Sequence, residues 1–178
     1  MSDYMIAFDK GEFESYFKFT IVRNPWDRLF SAYHFLKQGG LHEMDQECAE
    51  RHIELYQSFE AFVLDWVNIE NVERVLHFVP QYRFLCKPGS KEPLVNFVGY
   101  YENLTEDFHY IAQHLGKNLS LREDNRTKGK KKSYKDAYTQ EMIKIVEEVY
   151  LEDIQIFGYD FDNQNLKQVL ANRNLSFN

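Results

Sequence analysis

The sequence is poor in the residues and runs that mark several large classes of protein. Its 178 residues include only 2 cysteines, 4 prolines and 8 glycines, which disfavours collagen, coiled-coil and disordered chains. No stretch approaches about 20 consecutive apolar residues, so no transmembrane helix is expected. The chain begins acidic, at Met1–Ser2–Asp3, and no signal peptide is visible. The sequence therefore predicts a cytoplasmic protein.

The few cysteines and histidines show no metal-binding pattern. Cys48 and Cys86 lie far apart and form no CxxC pair. We expect two buried free thiols, and one disulfide between them is the alternative. His109 and His114 are five positions apart, which does not place both imidazoles on one face of a helix. No metal is expected.

Aromatic residues are abundant and charge is unevenly distributed. The 15 Phe, 12 Tyr and 2 Trp predict a heavily aromatic core. The net charge is −7, but the basic island at residues 117–135 carries +6, which leaves −13 on the remainder. Its basic residues are Lys117, Arg122, Arg126, Lys128, Lys130, Lys131, Lys132 and Lys135. The island indicates an anionic partner, and a solvated surface loop is the alternative. Nucleic acid is disfavoured as that partner, because one short island on an acidic body is a poor footprint for a duplex.

Strand and helix patterns alternate along the chain. The aromatic and β-branched residues 16–22 predict a buried strand. Asn24 is the predicted N-cap of a helix that has Pro25 at its first position and runs to Gln38, before Gly39–Gly40. The next predicted elements are a helix at 42–57, a helix that begins at Ser58, an apolar segment at 75–79 and a turn at 88–90. A strand is predicted at 94–99, followed by a helix that begins with an Asn103–Glu106 capping box and ends at Gly116. The last predicted helix covers 139–157 and ends at Gly158.

This order predicts an α/β protein with a mainly parallel sheet flanked by helices. We expect one domain over residues 1–178, in which residues 163–178 form a peripheral tail. Ligands of such sheets bind beyond the carboxyl ends of the strands, and Arg23 stands there.

Arg23 also directly precedes the start of a helix, whose free N–H groups and partial positive charge favour phosphate or sulfate. A guanidinium adds a bidentate fork for the same anions. Arg28 and Ser31 lie on one stripe of that helix, and the Ser31 hydroxyl can donate one more bond. The alternative is that Arg23 and Arg28 pair with Asp27 or Asp3 at the surface.

The segment around Arg23 resembles part of a known family. Residues 19–33 read Phe-Thr-Ile-Val-Arg-Asn-Pro-Trp-Asp-Arg-Leu-Phe-Ser-Ala-Tyr. They resemble the 3′-phosphate-binding segment of sulfotransferases that use 3′-phosphoadenosine 5′-phosphosulfate (PAPS), and they fill every position of its pattern R-N-P-x-x-R-x-x-S-x-Y. Residues 77–86 and 95–104 resemble the H-x-x-P and D-F-V-G-x-x-E-x-L segments of carbohydrate-type sulfotransferases. With a C-terminal likeness at residues 125–159, the resemblance covers about residues 16–161.

The resemblance implies a site and a reaction. Arg23 and Ser31 would hold the 3′-phosphate of the co-substrate PAPS, and Arg28 lies on the same segment. The basic island would close over the nucleotide, which makes secondary candidates of Arg126, Lys128 and Lys130. The implied reaction transfers a sulfuryl group from PAPS to a hydroxyl or amine of an acceptor, for which a carbohydrate is favoured. Gln81 and Glu102 also occupy family positions, and we expect a structural role for both.

A general base near neutrality would assist this transfer by taking the acceptor's proton. His77 is the histidine that falls in a segment of resemblance, which makes it the catalytic candidate, and a structural histidine is the alternative. The family also places a P-loop-like strand, loop and helix before the segment of Arg23. Only 22 residues precede Arg23 here, with Gly11 the sole glycine among them. We therefore expect a P-loop-NTPase-like sulfotransferase fold that is N-terminally incomplete, the C-terminal two-thirds of the domain.

Two other functions remain open at this point. The chain could be a nucleotide-binding remnant that lost catalysis together with the phosphosulfate loop. It could also be an interaction module that holds an acidic partner with the basic loop 117–135. A sheet edge exposed by a missing N-terminal strand would favour pairing with another copy, and so a homo-oligomer.

Overall fold

The computed structural model describes residues 9–121 and 133–175. In these ranges the elements are α1 Lys10–Ser15, β1 Phe19–Val22, α2 Pro25–Lys37, α3 Glu43–His52, α4 Phe59–Asp65, α5 Ile69–Val72, α6 Tyr82–Leu85, β2 Phe97–Tyr100, α7 Leu104–His114, α8 Gln140–Val149, α9 Leu151–Phe157 and α10 Leu166–Leu175, with short 3₁₀ helices at Tyr101–Asn103 and Tyr134–Ala137. No helix among these residues is long and apolar enough to cross a membrane. The chain divides into two compact units. We call residues 9–23 and 81–121 the strand unit, and residues 24–80 and 133–175 the helical unit.

The strand unit is built on two parallel strands, as the sequence predicted. β1 and β2 pair in parallel, with Val22 opposite Tyr100 at their carboxyl ends. Gly99 of β2 lies against both Ile21 of β1 and Asp107 of helix α7. A Cβ atom at this position would lie 2.5 Å from Cδ1 of Ile21 and 3.2 Å from Cβ of Asp107. The glycine therefore leaves room for the side chain of Ile21 in β1 and for the close approach of Asp107 in α7.

Strand β1 begins three residues later than predicted, since residues 16–22 were expected to be extended. The ammonium group of Lys18 donates to the carbonyl oxygens of Phe13 and Tyr16, both at 2.8 Å. The backbone N–H of Lys18 donates to the side-chain oxygen of Asn96 at 2.9 Å. These hydrogen bonds to side chains take up backbone groups just before the strand, so the regular hydrogen bonding between β1 and β2 starts only after them.

The predicted capping box at the start of α7 is wrong. Asn103 makes no side-chain cap bond. Its amide donates to Oδ1 of Asp107 at 2.8 Å, while Oδ2 of Asp107 accepts the backbone N–H of Tyr100 at 2.6 Å. Asp107 is only 2% exposed, so it is this carboxylate, rather than Glu106, that joins the helix to the end of β2. The predicted end at Gly116 is confirmed by its positive φ of 63°.

The helical unit contains the aromatic core that the composition predicted. The ring centroid of Phe62 lies 5.0 Å from that of Trp66 and 5.4 Å from that of Phe78, and the centroids of Trp66 and Phe78 are 5.1 Å apart. The buried members of this core are Trp26, Leu29, Tyr33, Leu36, Ala49, Ile53, Phe59, Phe62, Val63, Trp66, Val67, Val72, Val75, Phe78, Tyr134, Met142, Val146 and Tyr150. Large rings packed at these separations bury much apolar area, which supplies the main driving force for folding of this unit.

Helix α2 begins and ends where the sequence predicted. Oδ1 of Asn24 accepts the backbone N–H groups of Trp26 at 3.0 Å and Asp27 at 3.4 Å. Pro25 occupies the first helical position, and Gly39, with φ of 89°, follows the end. The helix start therefore offers fewer free N–H groups to a ligand than the sequence suggested, because the Asn24 side chain already accepts two of them.

The single helix predicted at 139–157 is two helices, α8 and α9. Tyr150 lies between them with a non-helical backbone conformation, φ −108° and ψ 25°. Its buried hydroxyl donates to the carbonyl oxygen of Phe78 at 2.8 Å, and burial raises the pKa of Tyr150. Gly158 ends α9 in the left-handed conformation, as predicted. The polar tail beyond it forms α10, in which Val169 packs so closely on Gly158 that a Cβ atom there would lie 2.6 Å from Cγ2 of the valine.

Both cysteines are free thiols, as expected. Cys86 is buried and Cys48 is half-buried. Burial raises the pKa of the Cys48 thiol, and the nearby Asp45 carboxylate acts in the same direction. A thiol held protonated in this way is a weak nucleophile, so Cys48 has the character of a packing residue.

Candidate functional site

The backbone of Arg23 is fixed at the end of β1 by one side chain of the strand unit. Oε1 of Gln81 accepts the backbone N–H of Arg23, and Nε2 of Gln81 donates to its carbonyl oxygen, both at 2.9 Å. The amide therefore pairs with Arg23 as a neighbouring strand would, which agrees with the structural role expected for Gln81.

The guanidinium of Arg23 lies over an aromatic ring. Its Cζ atom is 4.3 Å from the ring centroid of Tyr101, within the range of a cation–π contact. The parallel register explains the pairing, because these two residues directly follow the matched pair of Val22 and Tyr100. The guanidinium is thus held at the carboxyl edge of the two strands, the edge at which α/β sheets bind ligands.

Arg28 and Ser31 belong to the helical unit, on the polar stripe of α2. Nη2 of Arg28 donates to the carbonyl oxygen of His77 at 3.2 Å. One turn beyond Ser31, the ring of Phe35 lies 5.7 Å from the imidazole of His77. The segment of His77 therefore runs along this stripe. Ser31 is half-buried, and within the described ranges its hydroxyl has no hydrogen-bond partner.

His77 pairs with a carboxylate that the sequence analysis did not identify. Its Nε2 lies 3.0 Å from Oδ1 of Asp45, and the two side chains are 31% and 13% exposed. Oδ2 of Asp45 accepts the backbone N–H groups of Leu41 at 2.9 Å and His42 at 3.1 Å. The only local signal for this arrangement is Gly40, where a Cβ atom would overlap the side chain of Asp45.

The surroundings of Asp45 stabilise its charged form. The backbone N–H of Leu41 is the main cause that lowers the pKa of this carboxyl, with His42 and His77 acting in the same direction. Partial burial opposes them without reversing the shift. Asp45 is therefore an anion at neutral pH that is held in place by three hydrogen bonds.

Asp45→Asn is expected to destabilise the folded protein at neutral pH and to do so less in acid. A carboxyl whose folded pKa lies below its ordinary 3.8 stabilises the protein above that pH, and the contribution disappears as the pH falls through the folded pKa. Urea unfolding of both proteins at pH 7 and near pH 3 measures this difference. We expect the midpoints to converge at the lower pH.

The matched control is Asp65→Asn, which alters an exposed carboxylate that accepts the hydroxyl of Tyr56 at 2.8 Å. This variant should change the midpoint at pH 7 less than Asp45→Asn does, because one exposed hydrogen bond contributes little. A constant gap between wild type and Asp45→Asn across the pH range would contradict the lowered pKa.

The structure brings two of the predicted site residues into contact, Arg28 and the backbone of His77. It places Arg23 in the strand unit with Gln81 and Tyr101. The remaining candidates, Arg126, Lys128 and Lys130, lie outside the described residues. In residues 9–121 and 133–175, no group of three or more His, Cys, Asp and Glu side chains is placed to hold a metal ion.

Comparison with known proteins agrees with the pattern around Arg23. A profile of the sulfotransferase family matches residues 5–160, which is most of the chain. The chain belongs to the sulfotransferase family. Carbohydrate sulfotransferase 14 of Danio rerio is 30% identical over 170 residues, which cover 83% of this chain and 45% of the relative. Carbohydrate sulfotransferase 10 of Homo sapiens is 25% identical over 135 residues, 65% of this chain and 37% of the relative.

A third relative comes from an archaeon. An uncharacterized protein of Archaeoglobus fulgidus is 30% identical over 107 residues, which cover 60% of this chain and 73% of the relative. No solved structure matches the chain significantly. The chain spans less than half of the length of the two carbohydrate sulfotransferases that it matches. The resemblance to carbohydrate-type sulfotransferases, inferred first from short motifs, is confirmed by these matches.

Proposed function

We propose that the protein transfers a sulfuryl group from PAPS to a hydroxyl of an acceptor, and that the acceptor is a carbohydrate. The family match over residues 5–160 and the two carbohydrate sulfotransferases among the relatives support this proposal. The observation that carries it is the placement of Arg23. Its guanidinium lies at the carboxyl edge of a parallel sheet, with its backbone fixed by Gln81 and its side chain against Tyr101.

The chemistry of these side chains fits a nucleotide 3′-phosphate. A guanidinium presents paired N–H donors that match two phosphate oxygens, and a hydroxyl can donate one further bond. In the proposal, Arg23 and Ser31 bind the 3′-phosphate, and Arg28 adds positive charge on the same helix as Ser31. The outer candidates of the basic island, Arg126, Lys128 and Lys130, would balance the charge of the nucleotide.

The proposed reaction depends mainly on positioning and on charge. The acceptor oxygen attacks sulfur in line with the bond that breaks, and adenosine 3′,5′-bisphosphate (PAP) leaves. Cationic side chains stabilise the negative charge of the sulfuryl and phosphate oxygens during transfer. A base that takes the acceptor's proton contributes further, and His77 is the candidate.

PAP is expected to raise the melting temperature of the protein. At a concentration of 100 times the Kd, binding adds about 2.7 kcal/mol, which corresponds to roughly 5–10 °C for a chain of this size. Differential scanning fluorimetry measures the shift. The matched ligand is adenosine 5′-phosphate, which differs from PAP only in lacking the 3′-phosphate and should produce little of the shift. Transfer itself is then measured with ³⁵S-labelled PAPS and a set of unsulfated polysaccharides.

The outcomes separate the three functions considered for the sequence. A melting temperature that PAP leaves unchanged at millimolar concentration contradicts the proposal. PAP binding without transfer to any acceptor favours the nucleotide-binding remnant. Salt-sensitive binding of an acidic partner, lost on reversing Lys130 and Lys131 to Glu but kept in Arg23→Ala, favours the interaction module. The cytoplasmic location and the pairing of copies stay predictions.

A further inference from the structure

We propose that Asp45 is a positioning residue that sets the tautomer of His77, so that Nδ1 of the imidazole receives the proton of the acceptor hydroxyl. The inference rests on the proposed sulfuryl transfer and deepens it. It specifies the atom that acts as base and the group that orients this atom.

The hydrogen bonds around Asp45 determine where the imidazole proton lies. Oδ2 of Asp45 accepts the N–H groups of Leu41 and His42, and Oδ1 lies 3.0 Å from Nε2 of His77. A carboxylate held in its charged form can only accept at this contact, so Nε2 must carry a proton. Because a neutral imidazole has one N–H, Nδ1 then has a free lone pair.

The ring is also fixed from a second helix. Nη2 of Arg28 holds the carbonyl oxygen of His77, and the ring of Phe35 lies 5.7 Å from the imidazole. His77 is thus held by α2 at its backbone and by Asp45 of α3 at its ring. A base held in this way keeps one orientation toward a bound acceptor, which is what efficient proton transfer requires.

The surface beside this pair is open. The His77 side chain is 31% exposed. Its chain neighbour Leu76 is 70% exposed, and Met44, next to Asp45, is 81% exposed. Leu41, whose backbone N–H binds the carboxylate, is 68% exposed. An acceptor can therefore approach His77 without displacing part of the core.

The proposed step conserves atoms and charge. The hydroxyl proton of the acceptor passes to Nδ1 of His77, and the acceptor oxygen forms a bond to sulfur. The bond between sulfur and the bridging oxygen of the donor breaks, and its electron pair leaves on the 5′-phosphate of PAP. Asp45 stabilises the imidazolium that results, and it keeps its own negative charge throughout.

The first test reads the tautomer directly and needs no turnover. In the ¹⁵N NMR spectrum of the wild-type protein, His77 should carry its proton on Nε2. In Asp45→Asn the amide can donate to Nε2, so the proton should move to Nδ1, while the control Asp65→Asn should leave the spectrum of His77 unchanged. A wild-type imidazole protonated on Nδ1 overturns the proposal.

The second test measures transfer from ³⁵S-labelled PAPS to chemically desulfated chondroitin. His77→Gln keeps a donor toward Asp45 but has no base, and kcat should fall about 10³-fold with KM nearly unchanged. Asp45→Asn should lower kcat by a factor on the order of 10²–10⁴. His77→Ala should regain part of its rate in added imidazole, and the control His109→Ala, on an exposed histidine, should keep the wild-type rate.

PAP binding by each variant distinguishes a failure of the proposed function from a failure of the roles assigned to His77 and Asp45. A wild-type protein that binds no PAP contradicts the proposed function. If PAP binds and His77→Gln transfers at the wild-type rate, the assignment of His77 and Asp45 is overturned while the function stands. Loss of rate in His77→Ala without rescue by imidazole also overturns it, whereas a wild-type protein that binds PAP and sulfates no acceptor contradicts the proposed function.

Discussion

Replacing Arg23 with alanine is expected to weaken PAP binding about 100-fold and to remove nearly all of the rise in melting temperature that PAP produces. A charge-assisted bidentate contact to phosphate contributes about 2–4 kcal/mol, and each 1.4 kcal/mol is a factor of ten in Kd. The fold should tolerate the change. Gln81 binds the backbone N–H and the carbonyl oxygen of Arg23, and alanine keeps both of these bonds.

Two further variants make this prediction specific. Arg23→Lys keeps the charge without the fork and should weaken binding about 10-fold, since lysine meets phosphate as a single point charge. The matched control is Arg83→Ala, which removes an exposed guanidinium that also lies over a ring, at 5.0 Å from the centroid of Tyr82. Isothermal titration calorimetry with PAP measures all three proteins. Equal affinities of wild type and Arg23→Ala would falsify the assignment of Arg23 to the 3′-phosphate.

The sequence predicted the start of α2 and the ends of α7 and α9 well, because each of these is decided by a few consecutive residues. Asn24 and Pro25 begin α2 as expected, and Gly116 and Gly158 follow α7 and α9 with positive φ. In each case the side chain, or its absence, satisfies or frees backbone groups within one turn. No distant residue is needed to decide the outcome.

A contact between distant segments accounts for one error, and a competing local bond accounts for another. The interruption of the predicted helix 139–157 lies at Tyr150, whose hydroxyl binds the carbonyl oxygen of Phe78. Local periodicity is continuous across Tyr150, so the pattern alone favoured one helix. The Asn103 cap fails for a local reason, because the carboxylate of Asp107 accepts the Asn103 amide and also the backbone N–H of Tyr100 at the end of β2.

In the candidate site too, some features follow from the local sequence and others depend on residues far apart in the chain. The position of Arg23 follows from local pattern, because it ends a strand and precedes a helix start. Its contact with Tyr101 depends on the register of β1 and β2, which the two strand sequences do not specify. The pair of Asp45 and His77 joins residues 32 positions apart. No regular spacing in the sequence indicates this pair. Gly40, which makes room for Asp45, was interpreted only as the end of a helix.

Asn24→Ala is expected to cause the largest loss of stability among these variants, about 3 kcal/mol. Asn24 is fully buried. Its side chain forms hydrogen bonds both with the start of α2 and with residues 160 and 163. Oδ1 caps α2, while Nδ2 donates to the carbonyl oxygen of Asp160 at 2.9 Å and to Oδ1 of Asn163 at 2.7 Å. Alanine removes the cap, at about 1 kcal/mol, and leaves partners of Nδ2 without their donor, at about 1–3 kcal/mol.

Comparison with a simpler cap tests whether both functions of Asn24 contribute. Ser58→Ala removes an exposed cap that accepts only the N–H of Ala61 and should cost about 1 kcal/mol. Asn24→Asp keeps the cap acceptor but turns the donor into a carboxylate oxygen that faces two acceptors, so it should also be less stable than wild type. Thermal unfolding should show a fall of about 6–12 °C for Asn24→Ala. If Asn24→Asp matches wild type, the bonds to Asp160 and Asn163 do not stabilise the fold, and the cap alone explains the burial of Asn24.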